Sequence, residues 1–372
     1  MNKDQFLSIN LPTNEEIYLD IGYKVILNLF ESIDKDKLQI SALSTNYYSF
    51  TFSISMDLPQ GRKDIFVKIP KTCMRGFSQR ILPITPEDRL LAIEEVSSLK
   101  FLKDNWNNES SDVSWVKYLG TLHKYNAIVT ERIFADELFI SFRRWDLIHR
   151  FGFARNEKKM QHSMSRISLA LAKFHKKNEV RSSVYLSELL PKLGLYCEKL
   201  SSSSQSHWPD FIWKELQSLN NVKFNCFKVK TLKGIDIRNV LIDSKSKLFI
   251  LDPGKSKISY SEADIARFLM TYRALFWGST LLPIVKTPSS NMEQIFLKYY
   301  HLNVSYSDPQ LLDIFMLKEQ LKHWHTALDS LNRLKWPSVI KALVKKVYVN
   351  PFYVRQVSSQ LDLIKQGVKS GL

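Results

Sequence analysis

The stretch Thr231–Lys257, TLKGIDIRNVLIDSKSKLFILDPGKSK, constrains the fold more than any other part of this chain. A polar loop, Lys233 to Asn239, leads into the apolar run Val240-Leu241-Ile242. Asp243 to Lys247 makes a polar turn, and a second apolar run, Leu248 to Leu251, ends on Asp252-Pro253-Gly254. Two short apolar runs flanking a polar turn predict a β-hairpin. A hairpin brings its two ends to the same side, so Asn239 at the entrance and Asp252 at the exit are expected to emerge together. An amide oxygen and a carboxylate side by side are hard oxygen ligands, suited to a Mg²⁺ that also carries substrate phosphates. Taken alone, Asn, Asp and Gly at strand ends are equally well explained by their tolerance of turn geometry.

The 372 residues are enough for two lobes, and 44% hydrophobic and 12% aromatic content provides a core for each. No apolar run is long enough to span a bilayer. The opening residues, MNKDQFLSINLPTNEE, carry early acids and no apolar signal core, so export is not expected. Cys73, Cys197 and Cys226 are scattered, show no metal spacing, and fit a reducing cytoplasm. Fifty-three basic residues against 37 acidic ones give a net charge of +16, which implies anionic company. The basic residues are spread along the whole chain rather than gathered in a stripe, so nucleic acid is not the expected partner.

In chain order, IYLDIGYKVILNLFESI gives an amphipathic helix within residues 1–37, an N-terminal extension. A small antiparallel meander follows from Leu38. Thr51 to Met56 alternates polar and apolar, Pro59 to Arg62 turns, and Asp64 to Ile69 is a further strand. Lys68 lies inside that strand, in FVKI. A lysine there needs an acceptor or an exit to water, and it also reads as an edge-strand lysine. Thr85 then caps a helix that opens on Pro86, with Leu91, Val96, Leu99 and Leu102 at helical spacing. Glu95 borders that face and is a candidate partner for Lys68, with Glu94 as its rival. A strand returns at Asn126 to Ile133, and Phe142-Arg143-Arg144-Trp145 is a mixed stretch. SRISLALAKFH predicts a helix ending in His175, expected to cap or pack at its end. Ser201 to Ser204 reads as a surface loop. Tyr260 to Leu269 opens a long helical part, in which Asp264 either reaches back to the polar loop or serves the helix dipole. His323 and His325 are two apart on a helix and make a poor metal pair.

Strand Lys, helix Glu, connecting strand, long helix, Asn-bearing loop, hairpin, Asp and a helix opening on EADIARFL follow one another in a particular order. This order resembles the protein-kinase-like fold in its small-molecule branch, the aminoglycoside phosphotransferase, choline kinase and lipopolysaccharide kinase group. The resemblance covers roughly residues 38–330. It implies an α+β, two-lobed architecture, with a small antiparallel-sheet N-lobe over 38–134 and a larger, mostly helical C-lobe over 135–372. It further implies that Lys68, paired by Glu95, holds the nucleotide phosphates, and that Asn239 and Asp252 hold Mg²⁺. Asp236 then accepts the proton of the acceptor hydroxyl. Ser44 and Asn46 fall in the phosphate loop, and Ala127 to Ile133, with Glu131 and Ile133, at the hinge where backbone groups meet adenine.

The chain departs from the family in its loops. The family loop is His-Gly-Asp, four residues, then Asn, and that spacing puts Gly234 where the catalytic Asp belongs. The loop's own carboxylate is Asp236, three residues before Asn239. The segment Ser44 to Ser49 has no glycine. Asp252-Pro253-Gly254 replaces Asp-Phe-Gly, and Pro253 fixes the backbone after the Asp. The expected activity is an ATP- and Mg²⁺-dependent phosphotransferase acting on a hydroxyl of a small molecule or glycan, such as a lipopolysaccharide or other cell-surface saccharide precursor. The alternative is a pseudokinase that binds nucleotide or a partner. Arg238 is a candidate contact to an anionic acceptor, and the basic surface allows peripheral contact with an anionic membrane at its cytoplasmic face.

Overall fold

In a computed structural model the chain divides into two compact units. The residues described are 13–30, 37–46, 48–58, 61–72, 80–106, 112–150, 154–204, 206–219, 221–275, 290–304 and 307–370. The first twelve residues, residues 31–33 at the end of the expected first helix, Tyr47, Pro59, Gln60 and Cys73 lie outside them.

The first unit holds residues 1–110, 114–134 and 251–256. It opens on α1 (Asn14–Leu29), whose start is fixed by a capping box between Thr13 and Glu16. Ile21, Val25 and Ile26 of α1 are buried in the core of this unit, against the sheet. The strands are β1 (Leu38–Ile40), β2 (Ser44–Asn46), β3 (Ser49–Leu58) and β4 (Gly61–Pro70). Beyond α2 (Pro86–Asn105) and β5 (Val113–Trp115) come β6 (Tyr118–Leu122) and β7 (Ala127–Glu131). The sheet runs β1-β3-β4-β7-β6, with β2 also on β3, and every pairing is antiparallel. β3 and β4 pair along their whole length, from Ser49↔Pro70 to Leu58↔Gly61. Gly61 closes that hairpin at φ 111°, a conformation that an L side chain resists. Thr85 and Asp88 cap α2 reciprocally, and Pro86 occupies its first turn. Asp88 also ties the end of β4 to the start of α2, because its carboxylate accepts from Lys71 Nζ at 2.9 Å and from Thr72 N at 2.8 Å.

The second unit holds residues 111–113, 135–250 and 257–372 and is mostly helical. Its chain order is β8 (Asp136–Glu137), α3 (Leu138–Arg150), α4 (Ala154–Lys176), β9 (Val180–Tyr185), α5 (Leu186–Ser204) and α6 (Trp208–Ser218). It continues with β10 (Lys223–Leu232), β11 (Val240–Ile242), β12 (Leu248–Ile250), β13 (Ser256–Tyr260) and α7 (Glu262–Ala274). The remaining helices are α8 (Ser290–His301), α9 (Pro309–Arg333), α10 (Ser338–Val344) and α11 (Asn350–Ser370), with a π-turn over Lys345–Val349. β11 and β12 form the expected hairpin, Val240↔Ile250 to Ile242↔Leu248, and β8 adds to β11. β10 pairs with β9 and β13.

Phe142 to Trp145, the mixed stretch, is part of α3. The structure corrects one sequence expectation. Ser201 to Ser204 is no surface loop but the last turn of α5, with Ser204 buried. The serine hydroxyls return to carbonyls one turn back, Ser201 to Cys197 at 2.9 Å and Ser204 to Leu200 at 2.7 Å, so the helix continues through them.

Candidate nucleotide and acceptor residues

Lys68 sits on β4 opposite Thr51 of β3 and Ile128 of β7, so it lies in the sheet's interior and not at its edge. Strand alternation buries its neighbours Val67 and Ile69 in the core and sends Lys68 to the opposite face. There Val96 and Leu99 of α2 pack with Val116 and Ile128, and with Tyr118, Ile133 and Leu251 around them. This apolar patch fixes the phase of α2 and turns Glu95 inward. Lys68 Nζ donates to Glu95 Oε1 at 2.9 Å and to Asp252 Oδ2 at 2.8 Å. The Lys68, Glu95 and Asp252 side chains are 20%, 11% and 38% exposed, so Asp252 is the member open to a ligand.

The rival Glu94 instead pairs with Lys255. One residue further on, Ser256 N donates to Ser98 Oγ at 3.0 Å. The Leu251–Ser256 segment is therefore fastened to α2 at Glu94, Glu95 (through Lys68) and Ser98. Gly254 adopts φ 57°, and its N–H donates to Asp252 Oδ1 at 2.9 Å. That turn and Pro253 orient the Asp252 carboxylate.

Two carboxylates surround one ammonium, so the cluster has one negative charge too many. Burial disfavours charge on Lys68, but Asp252 and Glu95 overcome it and raise the amine above its ordinary value. Burial, then the nearby Asp252 carboxylate, push Glu95 up to about 7 against the pull of Lys68. A divalent cation at Asp252 would cancel that surplus.

The other phosphate-loop and hinge candidates lie in the same unit. Ser44 and Asn46 are exposed on β2, and Asn46 Nδ2 donates to Thr51 Oγ1 at 3.0 Å. Glu131 accepts from Lys117 N at 2.8 Å through its carboxylate and donates to Lys117 O at 2.9 Å through its backbone. Ile133 packs on the Val96–Leu99 patch.

The second unit presents the loop between β10 and β11. Asp236 is buried and precedes a 3₁₀ turn over Ile237–Asn239, where its Oδ1 accepts from Arg238 N at 2.9 Å. Arg238 returns its guanidinium to the same carboxylate in a bidentate grip, with Nε 2.9 Å from Oδ1 and Nη2 closing on Oδ2. Asn239 Nδ2 donates to Gly234 O at 3.0 Å, which leaves the amide oxygen as an acceptor. The loop is thus held at its full length between Gly234 and Asn239, with Asp236 inside it.

Asp264 does reach back to this loop. It is fully buried; Oδ2 accepts from Leu232 N at 2.8 Å and lies 3.2 Å from His175 Nε2. His175 Nδ1 meets Tyr300 Oη at 2.6 Å, and Arg267 Nη1 donates to Leu232 O at 3.0 Å. The helix-ending histidine and the acid of EADIARFL therefore anchor the loop's start. Thr271 Oγ1 accepts from Ile237 N at 3.3 Å and steadies its far end.

Near Asp236 stand groups that no sequence motif marks. His323 is pushed down to about 4, first by burial and then by Lys322, with Arg238 adding and Glu319 and Asp236 opposing. Burial alone would raise Glu319, yet Lys322, Lys318 and Arg267 outweigh it and hold the carboxyl down to about 2. Tyr353 of α11 is raised by burial against the charge of Arg238. No short motif links α9, α11 and this loop, so a single sequence carries no signal for the grouping.

No three His, Cys, Asp or Glu side chains gather as a metal cluster among the described residues. In the first unit the Asp252 carboxylate is a hard oxygen donor, and in the second unit the Asn239 amide oxygen is another; each by itself suits Mg²⁺, which keeps waters and takes phosphate oxygens, better than a metal needing an all-protein cage.

No protein-family model matches the chain, and no curated protein matches its sequence. Solved structures do match. The choline kinase of Cryptosporidium parvum Iowa II is 11% identical, with a TM-score of 0.55 over 94% of this chain and 97% of that one. The choline kinase LicA of Streptococcus pneumoniae is 15% identical, with a TM-score of 0.46 over 92% and 99%. The ADP-bound aminoglycoside phosphotransferase APH(2'')-Ib is 13% identical, with a TM-score of 0.48 over 93% and 96%. The first of these carries the fold: the chain has an α+β protein-kinase-like fold, with an antiparallel sheet in its N-terminal unit and a mostly helical C-terminal unit.

Proposed function

We propose that this protein is an ATP- and Mg²⁺-dependent phosphotransferase that moves the γ-phosphoryl group of the nucleotide onto a hydroxyl of a small molecule or glycan. The observation that carries the reading is the Lys68 ammonium held between Glu95 and Asp252, deep in a sheet and charged at any physiological pH. A fixed cation of this kind spreads negative charge away from phosphate oxygens as the bond to the leaving group breaks. Asp252 in the first unit and Asn239 in the second are the residues that would hold Mg²⁺, which when bound would neutralise the phosphate oxygens. The acceptor oxygen forms the new bond to phosphorus, ADP departs with the electron pair of the broken one, and Asp236 takes the hydroxyl proton. Positioning and charge do most of the chemistry.

Arg238 beside Asp236 favours an acceptor with negative charge, and an anionic cell-surface saccharide precursor such as that of lipopolysaccharide fits this description. We place the protein in the cytoplasm, with peripheral contact at an anionic membrane face. Transfer of radiolabel from γ-labelled ATP to a panel of phosphorylated and uncharged saccharides tests the reading. Lys68→Met and Asp252→Ala serve as controls. Equal transfer by Asp252→Ala removes the metal assignment, and equal transfer by both removes the phosphotransferase.

One observation favours a second reading. Gly234 stands at the family's base position, and Asp236 is already gripped by Arg238. A protein that binds nucleotide without transferring it would show ATP-dependent thermal stabilisation and no product with any acceptor.

A further inference from the structure

α10 is a helix without a buried side chain. From Leu334 to Val347 the chain exposes Leu334, Trp336, Val339, Ile340, Leu343 and Val347 by 41–77% each, with Val339 the most open. Clustered apolar residues of this size on a surface mark a contact site. The surrounding charge selects what makes the contact. Residues 330–361 contain no Asp or Glu and six Lys or Arg, among them Lys335, Lys341, Lys345 and Lys346. A second copy of this chain is a poor occupant, because a two-fold contact would bring those lysines together.

We propose that Leu334–Val347 is a membrane-docking element, which lays its apolar side chains into the interface of an anionic bilayer while its lysines meet the headgroups. A short helix with apolar residues, an interfacial tryptophan and lysines on its flanks matches the chemistry of such a surface. The lysines contribute by attraction to acidic lipid, and Trp336 prefers the depth of the headgroups. The proposal gives a surface to the peripheral contact placed above, and it rests on α10 and its flanks, independently of phosphoryl transfer.

The test uses the full chain and sucrose-loaded vesicles of phosphatidylcholine alone or mixed with phosphatidylglycerol. The wild type is expected to sediment with the mixed vesicles, to ignore the neutral ones, and to be released by salt. Ile340→Ser with Leu343→Ser should weaken binding about tenfold through lost apolar burial. Lys335→Gln with Lys346→Gln should weaken it about 30-fold, from about fivefold for each lysine. Thermal stabilisation by ATP, read on every variant, reports folding and the nucleotide site separately. Absence of wild-type binding overturns the proposal. So does binding that Ile340→Ser/Leu343→Ser leaves unchanged, since the apolar face would then take no part. Loss of self-association in that variant, seen by light scattering, also overturns it, because the surface would then join copies of the chain.

Discussion

Glu95→Gln isolates the surplus charge around Lys68. Glutamine keeps an oxygen for the Lys68 ammonium, now 2.9 Å from Glu95 Oε1, but it cannot ionise. In the wild type burial and Asp252 push Glu95 from its ordinary 4.5 up to about 7. That interval of 7 − 4.5 corresponds to about 3 kcal/mol at 1.36 kcal/mol per unit. The sign is the reverse of an ordinary salt-bridged carboxylate, whose pKa is lowered on folding. The folded protein holds this proton more tightly than the unfolded chain, so stability falls as pH rises from 4.5 towards 7 and the full cost remains above it. Lys68, also raised, loses its contribution only above its ordinary 10.5, outside this window. The variant should therefore gain about 3 kcal/mol relative to wild type between pH values below 4.5 and pH values above 7. Urea unfolding of both proteins across that range measures the difference directly. Saturating ATP and Mg²⁺ should flatten it, because a cation at Asp252 removes the charge that holds the proton on Glu95. A difference that stays constant with pH to within about 1 kcal/mol refutes the reasoning and returns Glu95 to an ordinary salt bridge.

Lys68→Met leaves two carboxylates facing each other without a cation; nucleotide affinity by calorimetry should drop at least about tenfold and transfer at least about 100-fold, and unchanged values would remove Lys68 from the site. Asp236→Asn should lower kcat by roughly 100-fold or more with little change in KM, whereas a normal kcat means that the proton leaves by another route. Asp264→Ala strips the buried acceptor from Leu232 N and His175 and should cost about 3 kcal/mol, seen as a lower Tm; a variant as stable as wild type would show that the β10–β11 loop does not depend on this anchor.

The parts of the fold legible in the sequence are those fixed by near neighbours. The β11–β12 hairpin follows from two apolar runs around Asp243–Lys247, and the turn forms as its residues demand, with Asp243 Oδ1 accepting from Lys245 N and Lys247 N. Thr85-Pro86 announces α2 because capping is a local affair. Long-range partners are another matter. Glu94 and Glu95 are adjacent and chemically alike, and only the burial of Val96 and Leu99 decides which one meets Lys68. α1, separable as an extension by sequence, buries Ile21 and Ile26 in the sheet's core because its apolar face has no other cover. The serines ending α5 misled for a similar reason: composition signals a loop, but Leu200 and Cys197 are buried and keep the helix going.

Arg238 separates the two readings of the loop more sharply than Asp236 does. Its guanidinium grips the Asp236 carboxylate, yet its side chain is 57% exposed. The guanidinium end of the pair is open to water while the carboxylate end is buried, so an anionic acceptor can reach Arg238 and compete for it, uncovering Asp236 as it binds. An uncharged acceptor has no such means. If Asp236 takes the proton, Arg238→Gln should raise transfer to uncharged saccharides and lower transfer to phosphorylated ones, visible as opposite changes in kcat/KM. If Asp236 serves only to cap the 3₁₀ turn over Ile237–Asn239, neither protein should phosphorylate either acceptor and the variant should differ from wild type in Tm alone. The second outcome would leave Gly234, not Asp236, at the place where the family keeps its base, and the protein would be a nucleotide binder built on a kinase scaffold.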